Sequence, residues 1–112
     1  MNHRRWNIGT LTTADRVAVR AHENERIIID QIWVTNKDTS NRNFDIHHIP
    51  AGDTGSVNDF SLIFDHALNA KTYEVIDTKI YMNPGDEIQV GASAGSAIVV
   101  NFYGRVFYDR AD

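Results

Sequence analysis

The stretch that decides the fold is AIVVNFYGRVFY, residues Ala97 to Tyr108, because it is apolar at both odd and even positions. Successive side chains of a strand point to opposite faces. One face would carry Ile98, Val100, Phe102, Val106 and Tyr108, and the other Val99, Tyr103 and Phe107. A strand that is apolar on both faces needs cover on both, and a short chain supplies one core. Either a loop of the same chain covers the second face, or another copy or a larger assembly does.

The composition is that of one folded domain. The chain has 112 residues, of which 42% are hydrophobic and 23% charged, as in globular proteins. A net charge of −4 argues against free nucleic acid as the main partner. The absence of cysteine excludes a disulfide scaffold and a cysteine-ligated metal. Because the sequence lacks a membrane span and a signal peptide, we expect the protein to stay where it is made unless it leaves in an assembly.

Short β-prone segments separated by turn residues run along the chain. In the segment from Arg26 to Asn36, Asp30 and Gln31 interrupt both apolar faces, which predicts a bulge or a crossing between sheets. The segment from Phe60 to Ala70 fits a helix or a strand, and its surroundings favour a strand. About eight strands with turn signals every 8–12 residues predict an all-β fold, an antiparallel β-sandwich of jelly-roll type.

The connections carry clear turn signals. The residues Asn83-Pro84-Gly85-Asp86 predict a tight turn, and Gly104 predicts a bulge or a close approach. The longest turn-like stretch, PAGDTGSVND, covers residues 50 to 59. Residues 1–7, MNHRRWN, predict a basic N-terminal arm ahead of a single sandwich domain over residues 8–112. This arm is either frayed or lies on a neighbouring subunit with Trp6 as its anchor.

No pattern of residues indicates an enzyme. The chain lacks a G-x-S-x-G elbow, a phosphate-binding loop and a marked cleft for paired carboxylates. Asp45 and His47 share a strand face and could form part of a metal site, above all one completed by symmetry copies. The pattern favours a solvated or interface histidine at position 47, and a hydrogen-bonded one at the core edge for His48. A metal-binding jelly roll would need a cluster of histidines, and His47 and His66 are its only plausible core. We expect no catalytic residue, no metal and no cofactor.

Three motifs follow one another within residues 17 to 108. They are Trp33-Val34 with Asn36, then Ile49-Pro50-Ala51-Gly52, then Gly85-Asp86 leading into Ile88, Val90, Ala92 and Ser93. In this order the chain resembles small β-sandwich structural proteins of tailed bacteriophages. The resemblance implies a virion component assembled in the host cytoplasm, most simply a homotrimeric head decoration or cement protein that stabilises the capsid. Its alternative is a tail or tail-fibre module that binds a host receptor or a carbohydrate.

Two groups of residues are the candidate contacts. The proposed subunit interface consists of Trp6, Val99, Tyr103, Arg105 and Phe107. The proposed contacts with the major capsid protein or other virion proteins are Arg4, Arg5, Asp53, Asn58 and Asp59. We expect neither nucleic acid nor a membrane as partner. An exposed Trp or Tyr on a loop would favour the carbohydrate-binding alternative, because sugar rings stack on aromatic side chains, and only Trp6 of the arm qualifies.

Overall fold

The computed structural model describes residues 2–53 and 57–108, without the side chains of residues 57 and 58. Within these ranges the chain forms eight strands and one short 3-10 helix, Val57–Phe60. The strands are β1 (Asn2–Thr10), β2 (Arg16–Arg20), β3 (Glu25–Asn36), β4 (Arg42–Ile49), β5 (Ser61–Leu68), β6 (Tyr73–Met82), β7 (Glu87–Ala92) and β8 (Ile98–Tyr108). The ambiguous segment after Phe60 is therefore a strand, as its surroundings indicated.

The strands form two antiparallel sheets of four, with the orders β1-β8-β3-β6 and β2-β7-β4-β5. Each strand pairs with its counterpart from the other end of the chain: β1 with β8, β2 with β7, β3 with β6 and β4 with β5. A long hairpin folded over on itself, with successive pairs in alternate sheets, produces this order, which is the jelly roll. The predicted all-β sandwich of jelly-roll type is confirmed.

The core lies between the two sheets and takes alternate residues from their strands. Phe102 on β8 and Phe44 on β4 are its largest side chains, and each is almost fully buried. Burying a side chain of this kind stabilises the fold by about 1.5–3 kcal/mol. The other large, fully buried apolar residues are Leu11, Val19, Ile27, Ile29, Ile32, Ile46, Met82, Ile88 and Ile98.

A β-bulge interrupts β3 at Asp30, where the sequence predicts an irregularity. Ile29 pairs with Gly104 and Gln31 pairs with Tyr103, so Asp30 is an extra residue opposite β8. The predicted close approach at Gly104 is confirmed as well, because a Cβ atom there would lie 2.3 Å from the carbonyl oxygen of Ile28. The bulge at Asp30 and the close approach at Gly104 therefore occur at the same place, where the two central strands β3 and β8 pair.

The N-terminal residues differ from the expected arm. Residues 2–7 belong to β1, an edge strand that pairs with β8 from Asn2 opposite Val106 to Thr10 opposite Val99. The side chains of Trp6 and Ile8 pack against the core, and Trp6 lies opposite Phe102. The prediction of a separate arm is wrong over residues 2–7, because their backbone pairs with β8 and Trp6, together with Ile8 just beyond the stretch, packs against the core.

Two of the motifs that carry the resemblance meet in space. The backbone N–H of Ala51 donates to Asp86 Oδ1 over 2.9 Å, and Asp86 Oδ2 accepts from the Asn83 N–H over 2.9 Å and lies 3.0 Å from His48 Nε2. Burial would raise the pKa of Asp86, but the hydrogen bonds from Asn83, His48 and Ala51 hold it below its usual range. Gly85, at φ +88°, supplies the tight turn that presents this carboxylate. His48 is thus the hydrogen-bonded histidine expected at the core edge.

The remaining motif has a structural part and an exposed part. Asn36 is fully buried, and its amide donates to the carbonyl oxygens of Ser40 and Leu68 over 3.0 Å each. Val34 is fully buried in the core. Trp33, by contrast, is 38% exposed. Val34 and Asn36 therefore have structural roles in the core and in the loop contacts. The partly exposed Trp33 is a candidate for a functional role.

Candidate functional site

The outer face of the sheet β1-β8-β3-β6 exposes four large aromatic side chains, and we call it the aromatic face. Trp33 and Tyr103 are 38% and 37% exposed, and Tyr73 and Tyr81 on the edge strand β6 are 64% and 66% exposed. Val99 and Phe107 on β8 share this face and are half-buried. Because these side chains are exposed, no loop of residues 2–53 or 57–108 covers the face. The second apolar side of β8 is therefore open in the single chain.

Trp33 is held in a defined orientation. Its indole N–H donates to Gln31 Oε1 over 2.7 Å, and the Gln31 amide donates to Asp77 Oδ1 over 2.9 Å. The ring stacks on Tyr73, with the centroids 5.7 Å apart and the planes 12° apart. Preorganised aromatic surface of this kind loses little conformational entropy on contact with a partner.

An ion cluster lies beside these aromatics. The guanidinium of Arg105 donates to both oxygens of Asp30, over 2.9 Å and 2.8 Å, and Lys79 Nζ lies 2.9 Å from Asp30 Oδ1. Chiefly through the hydrogen bond from Arg105, the pKa of Asp30 falls to about 2. The same hydrogen bond raises the pKa of Arg105. The cluster keeps the bulged residue Asp30 charged in more acidic solution than an ordinary aspartate.

A depression of about 570 Å³ opens between the ion cluster and β1. Its lining is polar and carries both signs of charge. The lining residues are His3, Arg4, Arg5, Asp30, Gln31, Asp77, Lys79, Tyr103 and Gly104. The aromatic face therefore has an apolar part and a charged part side by side.

Four of the five proposed interface residues lie on the aromatic face. These are Val99, Tyr103, Arg105 and Phe107, all with the same parity on β8. Trp6 does not join them, because it pairs with the buried Phe102 and packs against the core. Sequence reasoning missed Trp33, Tyr73 and Tyr81, which the registers of β3 and β6 place on the same face of the sheet as Tyr103. Trp33 could have been found from the sequence. If Asp30 is counted as the extra residue of a bulge, the alternation of β3 places Trp33 on the face opposite the core.

The five proposed partner contacts do not form one group. Arg5 pairs with Tyr103 on the aromatic face, whereas the Arg4 side chain bonds the Tyr108 hydroxyl over 3.2 Å. Asp53 and Asp59 are exposed in the connection between β4 and β5, which belong to the other sheet. The side chain of Asn58 lies outside the described part of the chain. The contacts assigned to residues 53 and 59 stay predictions.

Comparison of this chain with protein-family models, with curated proteins and with solved structures finds no match. The helical residues that the structure describes include no segment long and apolar enough to cross a membrane.

A second cluster of polar side chains lies on the other sheet. Asp15, Asp45 and His47 each place one potential ligand atom within 4.8 Å of the others. The side chain of His47 is fully buried, so the expected solvated or interface histidine is wrong. His66 stays apart from this cluster, since its Nε2 lies 3.1 Å from Glu74 Oε1 and its ring meets the edge of Phe44.

The backbone around the second cluster explains why these side chains meet. Asp45 and His47 are two residues apart on β4 and therefore share a face. Gly91 of β7 pairs with Asp45, and a Cβ at Gly91 would lie 2.6 Å from Asp15 Oδ1. The missing side chain thus makes room for the Asp15 carboxylate. Asp65, at φ +52°, donates its backbone N–H to Asp45 Oδ1 over 2.6 Å.

Proposed function

We propose that this protein is a non-enzymatic structural component of a bacteriophage virion: a homotrimeric head decoration or cement protein that stabilises the capsid by contacting the major capsid protein. The main support for the proposal is the aromatic face, whose Trp33 side chain is held in a fixed orientation and whose aromatic rings are exposed in the single chain. The order of the three motifs in residues 17 to 108 supplies the virion context. In this proposal the aromatic face contacts another copy of the chain.

The aromatic face has the size and composition of a protein interface. Four strands about 4.8 Å apart span about 19 Å, and the 12 residues of β3 extend about 40 Å, so the face covers on the order of 750 Å². Stable interfaces bury about 800 Å² on each partner. Tyr, Trp, Phe and Arg are the residue types enriched at such interfaces. The exposed aromatic side chains form the apolar part of this face, and exposed apolar surface of this kind typically marks a contact site.

The charges of the aromatic face favour a second copy as the occupant. Arg5 and Lys79 lie in the same depression as Asp30 and Asp77. A face with both signs of charge can complement a different surface of another copy that also carries both signs, whereas a strongly acidic or basic partner would meet like charges. The mixed field also fits the expectation that nucleic acid is not the partner.

A cyclic trimer requires two different, complementary patches on each subunit. The edge strand β5 offers a second patch, because Leu62 and Phe64 are 50% and 58% exposed. Beside Leu62 an apolar cleft of about 440 Å³ opens between the two sheets, lined in part by Ile63, Ile76 and Tyr81. In the proposed trimer the aromatic face of one subunit packs on the β5 edge of the next.

A matched pair of tyrosine variants tests the aromatic face. Tyr103→Ser removes an aromatic ring from this face, and Tyr108→Ser removes one from the end of the same strand, where Tyr108 has the opposite parity and is 52% exposed. In sedimentation velocity, Tyr103→Ser is expected to shift the trimer toward monomer and Tyr108→Ser to leave it intact. Equal behaviour of the two variants contradicts the assigned surface.

Immunogold electron microscopy of virions tests the placement. Antibodies against the protein should label the heads of virions of the phage that encodes it. If only the tails are labelled, the head decoration role is contradicted and the tail or tail-fibre alternative is supported. Virions without label would contradict both placements.

The alternative function, a tail or tail-fibre module that binds a carbohydrate, has one specific observation in its favour. The exposed Trp33 and Tyr73 form a stacked pair on which a sugar ring could pack, and they lie on strands rather than on a loop. Titration with a glycan panel distinguishes the two functions. Saturable binding by a monomer that is lost in Trp33→Ala supports the module, whereas a trimer without glycan binding supports the decoration protein.

A further inference from the structure

The buried histidine of the second cluster lacks a hydrogen-bond partner on one ring nitrogen. His47 Nδ1 lies 2.9 Å from Ser61 Oγ, whereas His47 Nε2 has no hydrogen-bond partner among the described residues. Nε2 lies 3.4 Å from Asp15 Oδ1, a distance that would suit an ion pair of a protonated ring but without hydrogen-bond alignment. A buried polar atom without a partner destabilises a fold, and a ligand bound at His47 Nε2 would remove that cost.

We propose that Asp15, Asp45 and His47 bind a divalent transition-metal ion, with Zn²⁺ as the best fit. The site is separate from the aromatic face and does not depend on the proposed virion function. Three protein ligands leave further coordination positions for water. The site stabilises the fold by tying the connection before β2 to β4 across β7.

The donor set favours zinc over calcium or magnesium. One imidazole nitrogen and two carboxylate oxygens form a mixed nitrogen and oxygen site, whereas Ca²⁺ and Mg²⁺ prefer oxygen ligands throughout. At bond lengths of about 2.1 Å, tetrahedral zinc separates its ligand atoms by about 3.4 Å. The His47 Nε2 to Asp15 Oδ1 distance is already 3.4 Å. Asp15 is exposed, so its side chain can turn to close the remaining separation within the cluster.

The surroundings of the three ligands match those of metal sites. When Ser61 Oγ accepts the proton of His47 Nδ1, the lone pair of Nε2 is free for a metal, and such an outer hydrogen bond fixes the ring orientation. The Asp65 N–H holds the Asp45 carboxylate in the same way. Gly91 leaves the space that the Asp15 carboxylate fills. Residues of β5 and β7 therefore position all three proposed ligands around the same site.

Isothermal titration of the metal-free protein with Zn²⁺ tests the proposal. We expect saturable binding of one ion per chain, with no comparable binding of Mg²⁺ or Ca²⁺, and a higher melting temperature in Zn²⁺. Asp15→Asn, at an exposed position, should abolish binding while the protein stays folded by circular dichroism. Gly91→Ala, which changes no ligand, should weaken binding by about 10- to 100-fold because its Cβ displaces the Asp15 carboxylate.

Matched controls separate this site from adventitious binding at the surface. His66→Gln removes an exposed histidine and Asp77→Asn an aspartate of the other sheet, and both should bind Zn²⁺ like the wild type. Zn²⁺ should also shift the imidazole NMR signals of His47 and leave those of His66 in place. Absence of saturable binding, or loss of binding in His66→Gln with retention in Asp15→Asn, would overturn the proposal.

Discussion

Trp33 and Tyr73 stack on the outer face of the sheet β1-β8-β3-β6, with ring centroids 5.7 Å apart, and they are 38% and 64% exposed. The indole N–H is already satisfied by Gln31, so the Trp33 ring offers a flat apolar surface without an unpaired donor. Removing water from this ring costs little, because the indole N–H keeps its hydrogen bond to Gln31. This stacked pair is the centre of the proposed subunit contact.

The two tryptophans should respond to truncation in opposite ways. Trp33→Ala removes a ring that is 38% exposed and stacks on Tyr73, so we expect weaker self-association and a smaller loss in the free energy of unfolding of the monomer than in Trp6→Ala. Trp6→Ala removes a ring that packs against the core and should lower that free energy by about 1–3 kcal/mol. Sedimentation velocity and urea denaturation measure the two effects. Unchanged self-association in Trp33→Ala would contradict the interface assignment.

Gly104 should not tolerate a side chain. In Gly104→Ala the new Cβ would lie 2.3 Å from the Ile28 carbonyl oxygen, so the backbone of β3 or β8 must shift. We expect a loss of about 1–3 kcal/mol in the free energy of unfolding, as for other overpacked sites. Gly95→Ala is the control, because a Cβ there meets no atom within 4 Å. Urea denaturation should show the control within about 1 kcal/mol of the wild type.

The Asp30 carboxylate should make the free energy of unfolding depend on pH in the acidic range. Its pKa is lowered from 3.8 to about 2 in the folded chain, so its contribution to stability is present above about pH 4 and is lost as the pH falls toward 2. Asp30→Asn should therefore be less stable than the wild type at neutral pH, and the difference should shrink below pH 4. Unfolding free energies of both proteins at several pH values test this. A difference that is constant with pH would contradict the role of the Asp30 charge.

The Asp86 carboxylate should matter for stability because it joins two connections. It accepts hydrogen bonds from the backbone N–H groups of Asn83 and Ala51 and lies 3.0 Å from His48 Nε2. In Asp86→Asn one carboxylate oxygen becomes an amide donor facing another donor, which should cost about 1–3 kcal/mol. Glu23→Gln, at an exposed turn, is the control and should stay within about 0.5 kcal/mol of the wild type. Chemical denaturation provides the comparison.

Local patterns were enough to predict much of the fold. The double interruption at Asp30 and Gln31 predicted the bulge, and the Pro84-Gly85 pair predicted the tight turn. The two-sided apolar pattern of β8 predicted a central strand with an outer face in need of cover. Each of these features depends on neighbours within a few residues, which the sequence displays directly. The strand β1 was missed because its basic residues obscured the alternate apolar side chains, Trp6 and Ile8.

The candidate sites depend on distant residues, so the sequence predicted only parts of them. Tyr103 was identified on β8, but Trp33, Tyr73 and Tyr81 reach the same face only through the registers of β3 and β6. Asp45 and His47 were recognised as sharing a face. Asp15 joins them only through the pairing of β2 with β7 and the space left at Gly91. No local pattern contains this information.

The most direct test of the proposed self-association is the mass of the wild-type protein in solution, measured by size-exclusion chromatography with light scattering over a wide concentration range. The account predicts a stable trimer of about 38 kDa, three times the chain mass of 12.7 kDa. A monomer at every concentration would contradict it, because the aromatic face would then remain in water without another copy.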